Sequence, residues 1–433
     1  MEVIVNRSSL SGYIPIPGSK SHTLRAVLIS ALACGESVIE NPLESNDTRS
    51  ALHSASCFGA VCDTSSPDGK WRIRGTGGKP QVPDNVIDCG NSGGTTYFTT
   101  AIASTVPGCT VITGDEQIRK RPIRRLLNAL TELGAEAYTT RSTIDAAPVV
   151  VKGPIKGGVC HFDGLLSSYI TGVLIASPTI ENDTEILIDN PKEVPYLAMT
   201  IDWIRRQGIH VEVSDDYRRM YVKGGQKYAC INRAIPGDWS SAAFPLVAAV
   251  ITGSECELTQ VDYTDTQGDK AIVDILQKMG ANIVVDNEHC KLKVRPCEGL
   301  HSDMEINMEN IPDALPALSV VAAVAAGKTV FTGIRNVRLK ETDRVAVMQS
   351  ELAKMNIRVE SDDDTMTVYG GSTLKGAVVE SFGDHRVAMA LVAAGMAAEG
   401  STKILNAESV RVSYPSFIDD MLRSGAAIQV LED

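Results

Sequence analysis

Small polar and charged residues stand together at the start of six predicted helices, where they could bind anions and move protons. The six starts are Ser19-Lys20-Ser21, Asn91-Ser92-Gly93-Gly94, Ser167-Ser168, Asp238-Trp239-Ser240-Ser241, Asp313 and Asp384-His385-Arg386. Each start alone is explained by helix capping, because Ser, Asn and Asp satisfy the free N–H groups of a first turn. Together they also suit phosphate and carboxylate groups, which helix N-termini attract through those N–H groups and their partial positive charge.

A cluster of alternating charges, Lys340 to Arg344, follows a predicted strand and opens a helix. Such a cluster can hold an acid, a base and an anion clamp together. Other cations lie close to the helix starts, at Lys20 and Arg25, at Arg121 and at Arg386. The chain as a whole carries a net charge of -12, so an anionic ligand would have to meet a local group of cations.

The elements that position these residues recur along the chain. Six amphipathic helices each end near a Gly or Asn and run directly into an alternating strand, about every 70 residues. The end residues are Gly59, Gly134, Gly208, Gly280, Asn356 and Gly425, and we predict a left-handed backbone at each. Six further helices, rich in small residues and therefore predicted to be buried, end at turns at Gly35, Gly108, Asn182, Gly253, Gly327 and Gly400.

Three such repeats around a shared axis would make one globular domain, so the 433 residues predict two domains of mixed α/β class. Met1 to Arg7 is predicted to be a strand rather than a signal peptide. Ala314 to Gly327 is apolar, but it is shorter than the roughly 20 residues of a membrane span and is predicted to be a buried helix.

Composition excludes several classes of protein. The acidic balance argues against a nucleic-acid scaffold, which would need clustered Lys and Arg. The ten cysteines form no Cys-x-x-Cys pair and have no His at metal spacing, which argues against a zinc site or a disulfide framework. Reduced thiols favour a cytoplasmic enzyme.

At these residues the sequence resembles the enolpyruvyl transferase family, and most closely its shikimate-pathway branch. The matching stretches are Pro17 to Ser21 with Arg25, Asp88 to Gly93, Lys120 to Ile123, Gly164 to Ser168, Pro236 to Ala242, Gln267 to Asp269, Ile311 to Ala314, Leu339 to Arg344, and Gly383 to Met389. They follow the family order over nearly the whole chain. The resemblance implies an inside-out α/β barrel fold, with three βαβαββ-type repeats in each of two domains, residues 17–235 and residues 1–16 plus 236–433, and an active site in the cleft between them.

The resemblance also implies an activity and its substrates. The enolpyruvyl group of phosphoenolpyruvate would be transferred to the 5-hydroxyl of shikimate 3-phosphate, with release of phosphate. Phosphoenolpyruvate would be bound by Lys20, Gly93, Arg121, Arg344 and Arg386. The acceptor would be bound by Lys20, Ser21, Arg25, Ser167, Ser168, Asp313, Asn336 and Lys340. No metal or organic cofactor, nucleic acid or membrane is implied, and a cytoplasmic monomer is expected.

Catalytic roles carry over in the same way. Asp313 would be the base that takes the proton of the acceptor hydroxyl, although its position also suits a helix cap. Glu341 and Lys20 are the candidates for protonating the methylene carbon of phosphoenolpyruvate, and His385 would support the charge network. Glyphosate occupies the phosphoenolpyruvate pocket in this family, and the retained Gly93 predicts that it inhibits.

Four positions depart from the family pattern. Tyr169 follows Ser168 directly, where the family commonly has Gln, and Glu193 stands where a Ser often faces the acceptor phosphate. A carboxylate there is expected to repel that phosphate. Tyr97 and Val412 replace the usual Arg and Lys.

These departures leave three alternatives open. The chain could act on a different cyclic hydroxyl acceptor, which the loss of Gln and the presence of Glu193 would explain. It could act on a UDP-amino sugar, although Asp115 to Pro122 lacks the reactive Cys of that branch. A non-catalytic binding protein fits poorly with the retained Asp313, Glu341 and Arg386.

Overall fold

The computed structural model describes residues 1–431, and the chain forms two compact units. The first unit is Gly18–Ile235, and the second combines Met1–Pro17 with Pro236–Asp433. The chain therefore passes from one unit to the other twice. Within residues 1–431, the structure contains no helix that combines the length and the apolar character needed to cross a membrane.

The first unit contains six α-helices and twelve strands. The helices are α1 (Lys20–Leu32), α2 (Asn46–Cys57), α3 (Gly93–Ala103), α4 (Arg124–Glu132), α5 (Ser167–Ala176) and α6 (Val194–Arg206). The strands are β3 (Glu36–Glu40), β4 (Val61–Asp63), β5 (Trp71–Arg74), β6 (Ile87–Asp88), β7 (Cys109–Thr113), β8 (Glu136–Thr139), β9 (Val149–Lys152), β10 (Gly158–Phe162), β11 (Thr184–Ile188), β12 (Val211–Val213), β13 (Arg219–Val222) and β14 (Asn232–Ala234).

The described part of the second unit also contains six α-helices and twelve strands. Its helices are α7 (Trp239–Ile251), α8 (Ile272–Lys278), α9 (Leu315–Val324), α10 (Arg344–Lys354), α11 (His385–Ala397) and α12 (Phe417–Arg423). Its strands are β1 (Glu2–Asn6), β2 (Ser11–Pro15), β15 (Glu255–Thr259), β16 (Asn282–Asp286), β17 (Lys291–Arg295), β18 (Met304–Asn307), β19 (Lys328–Thr332), β20 (Arg358–Ser361), β21 (Thr365–Tyr369), β22 (Val378–Glu380), β23 (Thr402–Leu405) and β24 (Ala427–Leu431).

Six four-stranded sheets share one pairing pattern. One edge strand pairs parallel with its neighbour, and the next two pairings across the sheet are antiparallel. The orders are β14-β3-β5-β4, β6-β7-β9-β8 and β10-β11-β13-β12 in the first unit, and β16-β17-β15-β2, β18-β19-β21-β20 and β22-β23-β1-β24 in the second. In one of them, β10 pairs parallel with β11, and β11 pairs antiparallel with β13. This repetition confirms the predicted six-fold repeat and the mixed α/β class.

The residues that end the amphipathic helices have the predicted backbone. All six, from Gly59 to Gly425, have a positive φ, and Asn356 reaches φ 70. Among the turns of the second set, Gly108 and Asn182 are not in this conformation, whereas the other four are. A left-handed residue lets the chain turn from a helix end into the next strand, which explains why Gly and Asn recur there.

The helices rich in small residues form the core of each unit, as predicted. Every residue of α7 except Ile251 is buried, and α11 is buried from His385 to Met396. Helices α7, α9 and α11 contact one another, as α3 does with α1 and α5. Small side chains let these helices approach closely. All faces of these helices can be buried, because no face carries a polar stripe that needs water.

Candidate active site

Arg344 is the centre of the candidate site in the second unit. It is the first residue of α10, and its side chain is only 1% exposed. Its Nε donates to Asp384 Oδ2 at 2.8 Å, its Nη1 donates to Asp313 Oδ1 at 2.7 Å, and its Nη2 donates to Glu341 Oε2. One guanidinium therefore joins the starts of α9, α10 and α11, and predicted site residues from separate repeats meet here.

Local capping fixes the start of two of these helices. Asp384 caps α11 by accepting from the Arg386 N–H at 2.9 Å, which leaves its other oxygen for Arg344. Asp343 caps α10 by accepting from the Ala346 N–H at 3.1 Å. These carboxylates occupy helix N-termini, where the partial positive charge favours them.

Asp313 does not cap a helix, so the capping interpretation of this residue was wrong. It lies in a 3-10 turn, Pro312–Ala314, and the residue that precedes α9 is Ala314, which makes no capping bond with its side chain. The carboxylate of Asp313 instead pairs with Arg344 and, at 3.1 Å, with Arg386 Nη2. Its side chain is 13% exposed, so the structure holds an ion-paired carboxylate that solvent still reaches.

The charges of this cluster shift each other's protonation. Burial opposes ionisation of Asp313, but Arg386, Lys340 and Arg344 outweigh it and hold the pKa of this carboxyl well below its usual range. Burial also opposes the charge on Arg344, yet Asp384, Glu341 and Asp313 raise its pKa further above its usual value. Asp313 is therefore ionised, and it can accept a proton.

Asp269 is a buried carboxyl close to this cluster that the sequence analysis did not assign to the site. It is 2% exposed, and it accepts a hydrogen bond from the Ser240 hydroxyl. Burial and the negative charge of Asp313 raise the pKa of Asp269 to about 6. The only sequence signal for Asp269 was its position in Gln267-Gly268-Asp269, one of the stretches that resemble the family.

This shift predicts how stability depends on pH. The folded-state pKa of Asp269 lies above its ordinary value of 3.8, so folding takes up a proton between these values. The resulting stability is complete below about pH 4 and is lost as the pH rises through about 6. An Asp269→Asn variant is always neutral and keeps an oxygen for the Ser240 hydroxyl. Relative to the parent, it should gain up to about 3 kcal/mol of unfolding free energy between about pH 4 and pH 8.

Chemical denaturation of both proteins at several pH values measures this difference. A difference that stays constant, or that falls as the pH rises, would contradict the raised pKa of Asp269.

Three further predicted residues, Lys340, Asn336 and His385, lie in the second unit. Lys340 follows a 3-10 turn, Val337–Leu339, and is close enough to lower the pKa of Asp313. Asn336 is buried and donates to the Glu309 carbonyl oxygen at 3.4 Å. His385, the first residue of α11, is fully buried.

In the first unit, Lys20 begins α1 and forms an ion pair with Asp47. The Lys20 Nζ lies 3.0 Å from Asp47 Oδ2, and the two side chains are 11% and 6% exposed. Asp47 lies in the first turn of α2, which Ser45 and Thr48 fix with a reciprocal capping box. Sequence reasoning missed Asp47, although the stretch from Ser45 to Thr48 signals a helix start.

Gly93 and Arg121 lie against each other. Gly93 begins α3, which Ser92 caps by accepting from the Thr95 N–H at 3.3 Å. A Cβ atom at Gly93 would overlap Arg121 Nη1. The absence of a side chain at Gly93 therefore lets the guanidinium lie against the start of the helix, and a methyl group there would displace it.

Tyr97 and Tyr169, two of the departures from the family pattern, pack together. Their rings meet edge to face with centroids 4.8 Å apart, and both are buried. The Tyr169 hydroxyl donates to the Pro122 carbonyl oxygen at 2.6 Å, next to Arg121. The pair therefore supports the segment that carries Arg121.

Arg25 is a buried cation on α1. Its guanidinium donates to Thr200 Oγ1 at 2.9 Å and to the carbonyl oxygens of Ser21 at 2.9 Å and Tyr196 at 3.1 Å, with a longer contact to Thr171 Oγ1 at 3.5 Å. Burial lowers the pKa of Arg25 to about 10. Ser21 is half-buried, and its contact with Arg25 is made by its backbone carbonyl oxygen.

Ser167 begins α5, and its partner is Glu193. The Glu193 Oε2 accepts from the Ser167 N–H at 3.0 Å and from the Ser167 hydroxyl at 2.7 Å. Ser168 beside it is half-buried. Glu193, which was expected to repel an anion, thus accepts from two donors of Ser167 that could otherwise bind an anion.

A family model described as EPSP synthase (3-phosphoshikimate 1-carboxyvinyltransferase) matches residues 4–421. A 3-phosphoshikimate 1-carboxyvinyltransferase of Acetivibrio thermocellus is 44% identical over 428 residues, 99% of each chain. A protein of the same name from Methanococcoides burtonii is 41% identical over 435 residues, with both chains fully covered.

A solved structure agrees with these sequence matches. The EPSP synthase of Acinetobacter baumannii superposes with a TM-score of 0.81 at 27% identity, and both chains are covered completely. The match extends over all six repeats and over every residue of the candidate site. The chain therefore belongs to the EPSP synthase family.

Proposed function

We propose that the protein transfers the enolpyruvyl group of phosphoenolpyruvate to the 5-hydroxyl of shikimate 3-phosphate and releases phosphate, in the shikimate pathway to chorismate and aromatic amino acids. The observation that carries this proposal is the ionised Asp313 carboxylate, paired with Arg344 and Arg386 and still open to solvent. The two guanidinium groups can bind an anionic substrate, and the carboxylate between them can accept a proton at the same place.

Substrate binding makes Asp313 a better base. Its low pKa is caused by the cations around it, Arg386 first among them. When the carboxylate of phosphoenolpyruvate binds Arg344 and Arg386, it neutralises part of that field, and the pKa of Asp313 rises towards the useful range. Asp313 then takes the proton of the acceptor hydroxyl.

The reaction proceeds by addition and elimination. The acceptor oxygen attacks the phosphate-bearing carbon of phosphoenolpyruvate while Glu341 or Lys20 protonates its methylene carbon. The product is a tetrahedral ketal phosphate with a methyl group. The group that gave up its proton, Glu341 or Lys20, then takes a proton from the methyl group as the bond between the ketal carbon and the phosphate oxygen breaks. Phosphate leaves, and the enol ether remains.

Residues of the first unit bind the anionic ends of the substrates in this proposal. Lys20, Gly93 and Arg121 serve phosphoenolpyruvate, and Ser21, Arg25, Ser167 and Ser168 serve the acceptor, as do Asn336 and Lys340 of the second unit. The buried guanidinium of Arg25 supports this assignment, since a buried cation gains most from an anionic ligand. Both units thus take part in one reaction, and the two-domain enzyme is proposed to work as a cytoplasmic monomer.

Gly93→Ala should weaken the binding of phosphoenolpyruvate and glyphosate. The new methyl group displaces the Arg121 guanidinium, so we expect the KM for phosphoenolpyruvate and the inhibition constant of glyphosate to rise by about tenfold to a hundredfold. Gly94→Ala is the matched control, because its methyl group meets only Leu24 Cδ1, at 3.0 Å. Equal inhibition constants for the parent and the Gly93→Ala enzyme would contradict the assigned position of the ligand.

Phosphate release from phosphoenolpyruvate tests the function directly. We expect release with shikimate 3-phosphate and none with UDP-N-acetylglucosamine. The contact between Glu193 and Ser167 favours one second candidate, transfer to a different cyclic hydroxyl acceptor without a phosphate group. Unphosphorylated shikimate is the probe for that class. Release with shikimate and none with shikimate 3-phosphate would replace the first proposal with the second.

A further inference from the structure

Glu193 is a buried carboxylate in an unfavourable backbone conformation. It is 2% exposed and has φ 54 and ψ 36, in the left-handed region that disfavours a side chain. A buried charge and a left-handed backbone each destabilise a fold unless specific contacts compensate. The bonds from the Ser167 N–H and hydroxyl are such contacts, and they place the carboxylate at the start of α5.

Arg25, a buried cation on α1, contacts the two helices α5 and α6. Ser167 lies one turn before Thr171 on α5, and Glu193, which precedes α6, lies one turn before Tyr196; Thr171 and Tyr196 both accept from Arg25. Every hydrogen-bond acceptor of Arg25 is an uncharged oxygen, and within residues 1–431 no carboxylate lies within ion-pair distance of it. The contact between Glu193 and Ser167 and the two acceptors Thr171 and Tyr196 of Arg25 are thus separated by one helical turn along the chain.

We propose that Glu193 is a built-in competitor for the anionic group of the acceptor, and that it determines acceptor affinity and selectivity. The inference rests on the proposed function, since the anion in question is the phosphate of shikimate 3-phosphate. That phosphate gains the two donors of Ser167 only when the Glu193 side chain leaves them. An acceptor that lacks an anion at this position does not have to displace it.

Two substitutions separate the charge of Glu193 from its bulk. Glu193→Gly removes the side chain and suits the left-handed backbone, because glycine adopts φ 54 without strain. Glu193→Gln keeps the shape and an oxygen for Ser167 but removes the charge. Glu181→Gln is the matched control: it removes one charge from an exposed residue beyond the opposite end of α5.

Isothermal titration calorimetry with shikimate 3-phosphate, and separately with inorganic phosphate, measures the competition. Juxtaposed like charges weaken binding, so Glu193→Gly should bind both ligands at least about tenfold more tightly than the parent. Glu193→Gln should show a smaller gain in the same direction. The Glu181→Gln protein should match the parent, and the KM for phosphoenolpyruvate should change less than about twofold in all three.

Unchanged or weaker binding in both Glu193 variants, with melting temperatures close to the parent, would overturn the inference and make Glu193 a structural cap. The turnover assay judges the proposed function separately. If neither the parent nor the variants release phosphate with shikimate 3-phosphate, the proposed function fails, while the calorimetric comparison still decides whether Glu193 competes.

Discussion

Asp313→Asn is expected to lower turnover by about 10²- to 10⁴-fold, the range for a lost general base, while the affinity for phosphoenolpyruvate changes much less. The amide keeps an oxygen for Arg344 Nη1 but no longer accepts a proton. Because it weakens two charge-assisted contacts, the free energy of unfolding should fall by about 1–3 kcal/mol, so the protein stays folded. Steady-state phosphate release and calorimetric titration with phosphoenolpyruvate measure the two effects.

Asp343→Asn is the matched control for this variant. Asp343 is two positions from Glu341 but caps α10, and Asn caps a helix about as well as Asp. We expect its turnover to stay close to that of the parent. A folded Asp313→Asn enzyme that kept more than about a tenth of parental turnover would assign Asp313 a structural role and move the proton transfer to Glu341 or Lys340.

Arg344→Met is expected to give the largest loss of stability. The guanidinium is the shared partner of Asp313, Glu341 and Asp384, and the substitution leaves these carboxylates without their common cation. Breaking a buried ion pair by removing one partner costs about 3–5 kcal/mol. We expect a loss of this size in the free energy of unfolding and no measurable turnover.

The pH dependence shows whether the loss is electrostatic. Arg344 is one of the cations that lower the pKa of Asp313, so the pKa of this carboxyl rises in the variant and the carboxyl is protonated at a higher pH than in the parent. The difference in unfolding free energy between parent and variant should therefore shrink as the pH falls towards and below 3.8, the ordinary pKa of an aspartate. Arg338→Met is the control: its side chain is 22% exposed and pairs with Asp343, so it should cost less than about 1 kcal/mol. Losses of equal size in the two variants would refute a central role for Arg344.

Features that depend on local chemistry could be predicted from the sequence. The left-handed residues at Gly59 and Asn356 follow from how a helix ends, and the buried helices follow from their lack of a polar stripe. The start of α11 at Asp384 follows from capping. Each of these rules involves only a few neighbouring residues, so no knowledge of the fold was required.

Features that depend on contacts between distant residues could not be predicted. Glu193 was expected to repel an anion, but whether it does depends on Ser167, 26 positions away in the chain. Asp269 was not assigned to the site because only the fold places it near Asp313. Asp384 was recognised as a helix start but not as a partner of Arg344, 40 positions away. Spacing along the chain does not encode these pairings.

The sheet that contains β1 determines the order in which the two units can be completed during synthesis. Strand β1, made first, lies between β23 and β24, and β24 is the last described strand of the chain. The first unit has all its strands once Ala234 has been made, whereas the second must wait for Leu431. On the ribosome, the first unit can therefore fold while β1 and β2 still lack their sheet partners. In the second unit, the sheets of β15 and β19 have all their strands once Tyr369 has been made, and only the sheet of β1 waits for β24.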